Sequence, residues 1–328
     1  MTAAPPSPLP NAAPPVRAGV QSALQAHGES AAPLLEITWV LIVGGAVIFA
    51  GVVAVAAIAV FGPTRMRGAL AQRRWIVGGG IVFPIVVLTA LLVYTLQASA
   101  PLARPTASGA LRVEVTGELW WWRVRYIDDS GAVLLETANE IHIPAGRPVE
   151  LTLKSDNVIH SFWVPNLAGK LDMVPGHLNR LRLTADAPGV FRGQCAEYCG
   201  AQHARMAFYV VAQPAAEFAR WLADQRRPAP NPTSPELALG QRLFLANRCG
   251  LCHTVRGTAA EGRLGPDLTH VGARAWLAAA TVPNNEGTLA GWISDPQQIK
   301  PGARMPAYRV FSPDELRALA AWLASLRP

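Results

Sequence analysis

The chain has 328 residues, of which 51% are hydrophobic and only 16% charged, with a formal net charge of +7. That length suffices for two domains of ordinary size plus an additional segment, and the composition leans toward a membrane protein. The basic residues are scattered rather than patched, which argues against a nucleic-acid surface. Residues 1–33 are rich in Ala and Pro without an apolar signal core, and they are expected to form a disordered outer tail. Two uncharged stretches follow within residues 34–98, at about 37–61 and 76–96. Each can cross roughly 30 Å of hydrocarbon as a helix, so the segment reads as a transmembrane hairpin. Arg65, Arg67, Arg73 and Arg74 lie between the spans, and only Arg17 precedes the first. The positive-inside rule places that loop in the cytoplasm and both ends of the chain outside.

Residues 99–225 read as one domain, strand-like from Leu111 to about Ala212 and closing with a short helix at Glu217–Gln225. Leu111-Arg-Val-Glu-Val alternates at period two, as does Glu-Ile-His-Ile-Pro before an Ala-Gly-Arg turn, and Val149–Lys154, Leu178–Leu183 and Phe208–Val211 repeat the pattern. Many short strands at regular spacing predict a Greek-key β-sandwich. Within this region Cys195-Ala-Glu-Tyr-Cys199-Gly-Ala-Gln-His203-Ala-Arg-Met206 gathers two thiols, an imidazole and a thioether. These soft and borderline ligands suit copper rather than magnesium or calcium. A mononuclear blue-copper site uses one cysteine, whereas paired cysteines with two histidines and a methionine can hold two ions that share the sulfurs. The second imidazole must come from elsewhere, and His160 in Val-Ile-His-Ser-Phe is the best candidate.

A Pro-rich linker at residues 226–235 can reach roughly 30 Å and leads into a helical region, residues 236–328. Ser234-Pro235 caps its first helix, and Ser312-Pro-Asp-Glu315 is a capping box opening a last helix with Leu316, Leu319, Leu323 and Leu326 on its apolar side. Between them, Cys249-Gly-Leu-Cys252-His253 is the covalent attachment signature for c-type haem, with His253 as proximal ligand. All the cysteines fall into these ligand-spaced pairs, which leaves none for a structural disulfide.

The Cys195–Met206 run, the stretch His-Ser-Phe-Trp-Val-Pro-Asn-Leu-Ala-Gly-Lys-Leu-Asp-Met-Val-Pro-Gly from His160 to Gly176, and Gly117-Glu-Leu-Trp120-Trp121-Trp122 resemble cytochrome c oxidase subunit II over roughly residues 34–212. The resemblance implies a cupredoxin-like sandwich holding a dinuclear CuA centre through the side chains of His160, Cys195, Cys199, His203 and Met206 and the backbone carbonyl of Glu197. It also implies Mg2+ at the Glu197 carboxylate, shared with subunit I, and Trp120 as the residue through which electrons reach the copper. Trp121 and Trp122 read as core filling. Residues 236–328 resemble a small class I cytochrome c, which implies Met305, in Pro301-Gly-Ala-Arg-Met-Pro306, as the sixth haem ligand. His270 is the weaker alternative. Iron with both axial positions filled transfers electrons rather than acting on a substrate.

The fold class expected is therefore a multidomain membrane protein: helical hairpin, all-β sandwich, all-α cytochrome domain. The function implied is the electron-input subunit of a caa-type terminal oxidase in a bacterial inner membrane, with both redox domains on the periplasmic side. Its implied partners are subunit I, where dioxygen is reduced and protons are translocated, subunit III, the lipid bilayer, and a c-type cytochrome or cytochrome bc complex as donor. The alternatives are a subunit of a copper-containing nitric oxide reductase and a membrane-anchored electron carrier or copper-delivery protein. Two departures from the family pattern stand out. Glu118 replaces a common histidine, and Trp75–Pro84 lacks the acid that many relatives carry near the cytoplasmic start of the second span. No proton-uptake role carries over. The copper region is nearly neutral, so the tethered haem domain is expected to replace electrostatic docking of a soluble donor.

Overall fold

The computed structural model describes residues 21–103 and 109–328, and residues 1–20 of the expected tail lie outside the described residues. The chain separates into a helical unit, residues 30–105, and a second unit holding the rest. In the first, α1 (Ala32–Phe61) and α3 (Arg73–Leu102) are long and apolar enough to cross a membrane, and α2 (Thr64–Leu70) lies between them in sequence. Both long helices outrun the spans expected from charge-free runs alone. Pro33 is tolerated in the first turn of α1, and Gly62-Pro63 ends that helix, because a residue before proline avoids helical geometry. Inside α3, Pro84 has no N–H to offer the ladder, and the turn just before it, Gly78–Val82, widens into a π-helical turn.

The second unit begins with a sandwich of two five-stranded sheets in the orders β3-β2-β1-β5-β8 and β4-β10-β9-β6-β7. Their ranges are β1 Leu111–Glu118, β2 Trp121–Ile127, β3 Val133–Ala138, β4 Glu140–Pro144, β5 Val149–Ser155, β6 His160–Trp163, β7 Leu171–Met173, β8 Asn179–Leu183, β9 Gly189–Cys195 and β10 Ala207–Gln213. Strands β1 and β5 pair in parallel, as do β4 and β10, and the remaining pairs are antiparallel. Period-two alternation drives the packing. In β5, Val149, Leu151 and Leu153 are buried, while Glu150, Thr152 and Lys154 are less so. The core is aromatic, with the Trp122 ring meeting Phe208 at 4.9 Å and Phe162 at 6.0 Å.

Residues 21–29, expected to be disordered, instead lie on the sandwich. The Asn166 amide donates to the carbonyls of Ser22 (3.0 Å) and Gln25 (2.9 Å), Asp186 N–H donates to His27 O, and Arg182 pairs with Glu29 at 2.7 Å. Their polar, Ala-rich composition carries no internal signal for this. Partners distant in sequence supply the order.

After α4 (Ala215–Gln225), helices α5 (Pro235–Ala246), α6 (Glu286–Ser294), α7 (Pro296–Ile299) and α8 (Pro313–Ser325) form the last domain. Ser234 caps α5, and the Ser312–Glu315 capping box opens α8, both as the sequence predicts. Helices α5 and α8 cross where Gly240 meets Ala318 and Trp322, and Phe244 packs against Trp322 at 5.1 Å.

Candidate metal and haem sites

The Cys195–Met206 run starts at the end of β9, turns through a loop, and ends where β10 begins. Two adjacent antiparallel strands therefore hold both ends of the loop, with Cys195 N–H bonded to Met206 O at 2.9 Å. His160 opens β6, the other neighbour of β9, so long-range pairing places it beside Cys195. His160, Cys195 and Cys199 form a cluster whose donor atoms lie within 4.8 Å of one another. The sulfurs of Cys195 and Cys199 are 3.8 Å apart and not bonded to each other. His160 Nδ1 is 3.8 Å from the Cys195 sulfur, His203 Nδ1 3.6 Å from that of Cys199, and the Met206 sulfur 3.8 Å from Cys199. The Glu197 carbonyl stands 3.2 Å from Cys195. Donors on a tetrahedral first-row ion, at roughly 2.0–2.3 Å from it, lie roughly 3.3–3.8 Å apart, so these paired distances match coordination of such ions.

The neighbours of His160 fix its orientation. Its Nε2 lies 3.0 Å from Asn157 Oδ1, which assigns the proton to Nε2 and leaves the Nδ1 lone pair facing the sulfurs. Gly117 makes room for the ring: a Cβ there would fall 2.7 Å from His160 Cδ2. Trp122, fully buried, borders the imidazole at 6.2 Å, while its Nε1 has no partner among the described residues. The hydrogen bond between the sulfurs, with help from His160 and from the backbone at Glu197, brings the Cys195 thiol down to about 3, and the same bond together with burial pushes Cys199 up. One proton leaves the pair readily, and binding a soft metal as two thiolates would release the other.

The Glu197 carboxylate does not join this set. It is partly exposed and 3.7 Å from the Lys170 ammonium, which also pairs with Asp172 at 3.3 Å. No ligand set for a hard cation among the described residues includes it.

In the helical domain, Cys249, Cys252, His253 and Met305 line one cavity of about 360 Å³. The attachment motif sits on a 3₁₀ turn, Cys249–Leu251, just beyond α5, and Arg248 enters that turn in the left-handed region. His253 Nδ1 donates to Pro266 O at 2.8 Å, which leaves Nε2 free for an iron, and burial holds its pKa below the usual histidine range. Gly265 is required beside it, because a Cβ would lie 2.5 Å from His253 Cε1. These groups fit a covalently attached haem. His270, the alternative sixth ligand, is buried with Nε2 on Arg227 O (3.0 Å) and does not line the cavity.

The sandwich closes the same cavity. Trp120 and Trp121 line it, so Trp121 is not the core residue expected, and the Arg123 guanidinium lies 4.7 Å over its ring. Trp122 is in the core, as expected. Trp120 spans the two sites: its Nε1 donates to Cys199 O at 2.7 Å while its ring lines the haem cavity. One further group was not legible beforehand. Lys300, from the segment before Met305, is 3% exposed, and burial lowers its ammonium pKa to about 7.

Comparison with known proteins matches this division. A family profile described as cytochrome C oxidase subunit II, periplasmic domain, covers residues 124–213, and one described as cytochrome c covers residues 237–327. The chain is 37% identical over 251 residues to cytochrome c oxidase subunit 2 of Alkalihalophilus pseudofirmus, covering 75% of this chain and 71% of that protein. It is 34% identical over 264 residues to the protein of the same name in Bacillus subtilis, covering 75% of this chain and 73% of the other. Among solved structures, the periplasmic domain of subunit II of cytochrome oxidase from Bradyrhizobium japonicum is 30% identical, with 36% of this chain and 94% of that chain covered at a TM-score of 0.33.

Proposed function

Since the chain belongs to the cytochrome c oxidase subunit II family and adds a cytochrome c domain, we propose that it is the electron-input subunit of a haem–copper terminal oxidase. It would accept electrons in its helical domain and deliver them by way of the copper loop to a partner subunit that reduces dioxygen and translocates protons. Membrane-spanning α1 and α3 would anchor it in the bacterial inner membrane, with its other domains on the periplasmic side. When bound, a dinuclear copper centre and a covalent haem supply reversible one-electron transfer.

The chain's own part is to hold ligands still. Cys195, Cys199, His203 and Met206 would bind copper from a loop pinned at both ends by strands, and His160 from the neighbouring strand with its tautomer set by Asn157. Cys249, Cys252, His253 and Met305 would hold the haem. A rigid donor set changes little when charge changes, which keeps reorganisation small. Trp120, reaching from the haem cavity to the Cys199 carbonyl, is the residue through which we route transfer, and this contact is the observation that carries the reading. The Mg2+ implied at Glu197 is not supported by this chain's residues alone, because an ammonium occupies the carboxylate's flank, and no step is assigned to it.

The test uses the full-length chain in its purified complex. It should contain two copper ions and one covalent haem, show low-spin haem absorption with a seven-line copper spin signal, and consume dioxygen rather than nitric oxide. A single exchangeable copper, or a bond joining the Cys195 and Cys199 sulfurs, would overturn the proposal.

A further inference from the structure

Lys300 sits where the helical domain meets the copper loop. Its Nζ donates to the carbonyls of Trp120 (2.6 Å), Arg205 (2.8 Å) and Ala278 (3.1 Å). An ammonium has three donors, so these acceptors satisfy it fully, and none of the ion pairs among the described residues includes it. Two of the acceptors belong to the sandwich. Trp120 bears the indole that reaches Cys199, and Arg205 immediately precedes Met206. The third belongs to the helical domain.

Other contacts converge on the same strip. The Gln202 side chain donates to Pro301 O at 2.7 Å and the Arg205 guanidinium to Ile299 O. Ala207 N–H donates to Ala279 O at 3.3 Å, and Ala275 N–H to the Glu140 carboxylate at 2.8 Å. Ala278, Ala279 and Ala280 all adopt left-handed backbone, at φ of 53°, 58° and 59°. A side-chain-bearing residue is strained there. That turn aims two carbonyls at Lys300 and Ala207, so the strain is held by contact with the copper domain. Without the sandwich, Lys300 would lose two of its three acceptors. Burying an ammonium is tolerable only while its acceptors are in place.

We propose that Lys300 is a positioning residue for electron transfer between the haem domain and the copper loop, its shared ammonium locking the Met305 segment and Trp120 at one separation from Cys199. This rests on the functional reading above. The step it would serve is one-electron transfer supplied by the bound haem and copper, one oxidised as the other is reduced, with no bond or proton exchanged. Tunnelling rates fall exponentially with separation, so a loosened interface slows transfer without altering either centre.

The test compares wild type with Lys300→Met and Lys300→Arg in the metal-loaded full chain. In Lys300→Met, transfer from haem to copper after pulsed reduction should slow by more than about twofold, because the contact that sets the separation is loosened. Amide exchange at Ala207 and Ala275, whose N–H groups bridge the domains, should accelerate by at least about the same factor. Haem absorption, copper spin signal and metal content should stay unchanged, and Lys300→Arg, which retains charge and donors, should recover part of both effects. Transfer and exchange both within about twofold of wild type in Lys300→Met would overturn the proposal. If Lys300→Met fails to load both centres, Lys300→Gln, which keeps one amide donor, must show the same direction or the proposal falls. If wild type passes no electron between its centres, the functional reading fails instead, and protected exchange at Ala207 and Ala275 would still report the lock.

Discussion

Replacing Gly117 by Ala tests how the proposed copper ligands are held. The added methyl would lie 2.7 Å from Cδ2 and 2.9 Å from Cγ of His160. Carbon atoms prefer about 3.5–4.0 Å, so one side must move by nearly an ångström. The strand cannot yield easily, because Gly117 pairs with Trp122 in β2 and with Ser155 in β5. The ring therefore moves, away from Asn157 at 3.0 Å and against the buried Trp122. Overpacking of this kind costs about 1–3 kcal/mol, measurable by denaturant unfolding of the metal-free protein. Displacing a ligand's support typically lowers metal affinity about 10–100-fold, measurable by competition with a copper chelator. A double-mutant cycle isolates the cause: in a His160→Ala background the same substitution should cost less than about 0.5 kcal/mol, since the clash is gone. Full copper affinity in Gly117→Ala, or an equal cost in both backgrounds, would refute the argument that Gly117 exists to seat the imidazole.

Trp120→Phe removes the indole N–H that bonds Cys199 O, and should slow haem-to-copper transfer while thermal stability falls by only about 1 kcal/mol, the worth of one hydrogen bond; an unchanged rate would exclude Trp120 from the route. Trp322→Ala empties the heart of the helical domain beneath Phe244 and should cost about 3–5 kcal/mol by denaturant titration. Ser312→Ala breaks the capping box of α8 and should cost about 1 kcal/mol in the same assay. Asp295 caps α7 and pairs with Arg309, so the ends of the segment bearing Met305 are tied together, and the hydrogen bond from Arg309 holds its carboxyl below the usual carboxylate range. A carboxyl depressed by folding contributes stability that is complete above its unfolded pKa, about 4, and is lost as pH falls through the lower folded value. Asp295→Asn should therefore flatten the acid limb of the haem domain's stability below about pH 4, followed by the methionine–iron charge-transfer band; an unchanged limb would count against the tie.

Much of this protein could be read along the chain because its decisive chemistry is local. The donor side chains of Cys195–Met206 fall within one loop and the attachment motif within five consecutive residues, Cys249–His253, so residue type and spacing together pointed to the metals that suit them. Charge-free runs identified the two membrane-length helices, and alternation identified β1, β4, β5, β8 and β10 of the sandwich but not the other five strands. Tertiary structure decided what depends on residues far apart. The Ala-rich segment 21–29 has no pattern of its own, yet Asn166, Arg182 and Asp186 order it. Trp121 shares an aromatic run with Trp122, but strand geometry turns successive side chains to opposite faces, sending one to the haem cavity and the other to the core. Nothing in the sequence singles out Lys300, which precedes Pro301-Gly302. Only the docking of two domains distant along the one chain removes its water and replaces it with the carbonyls of Trp120, Arg205 and Ala278, an arrangement that no local spacing can encode.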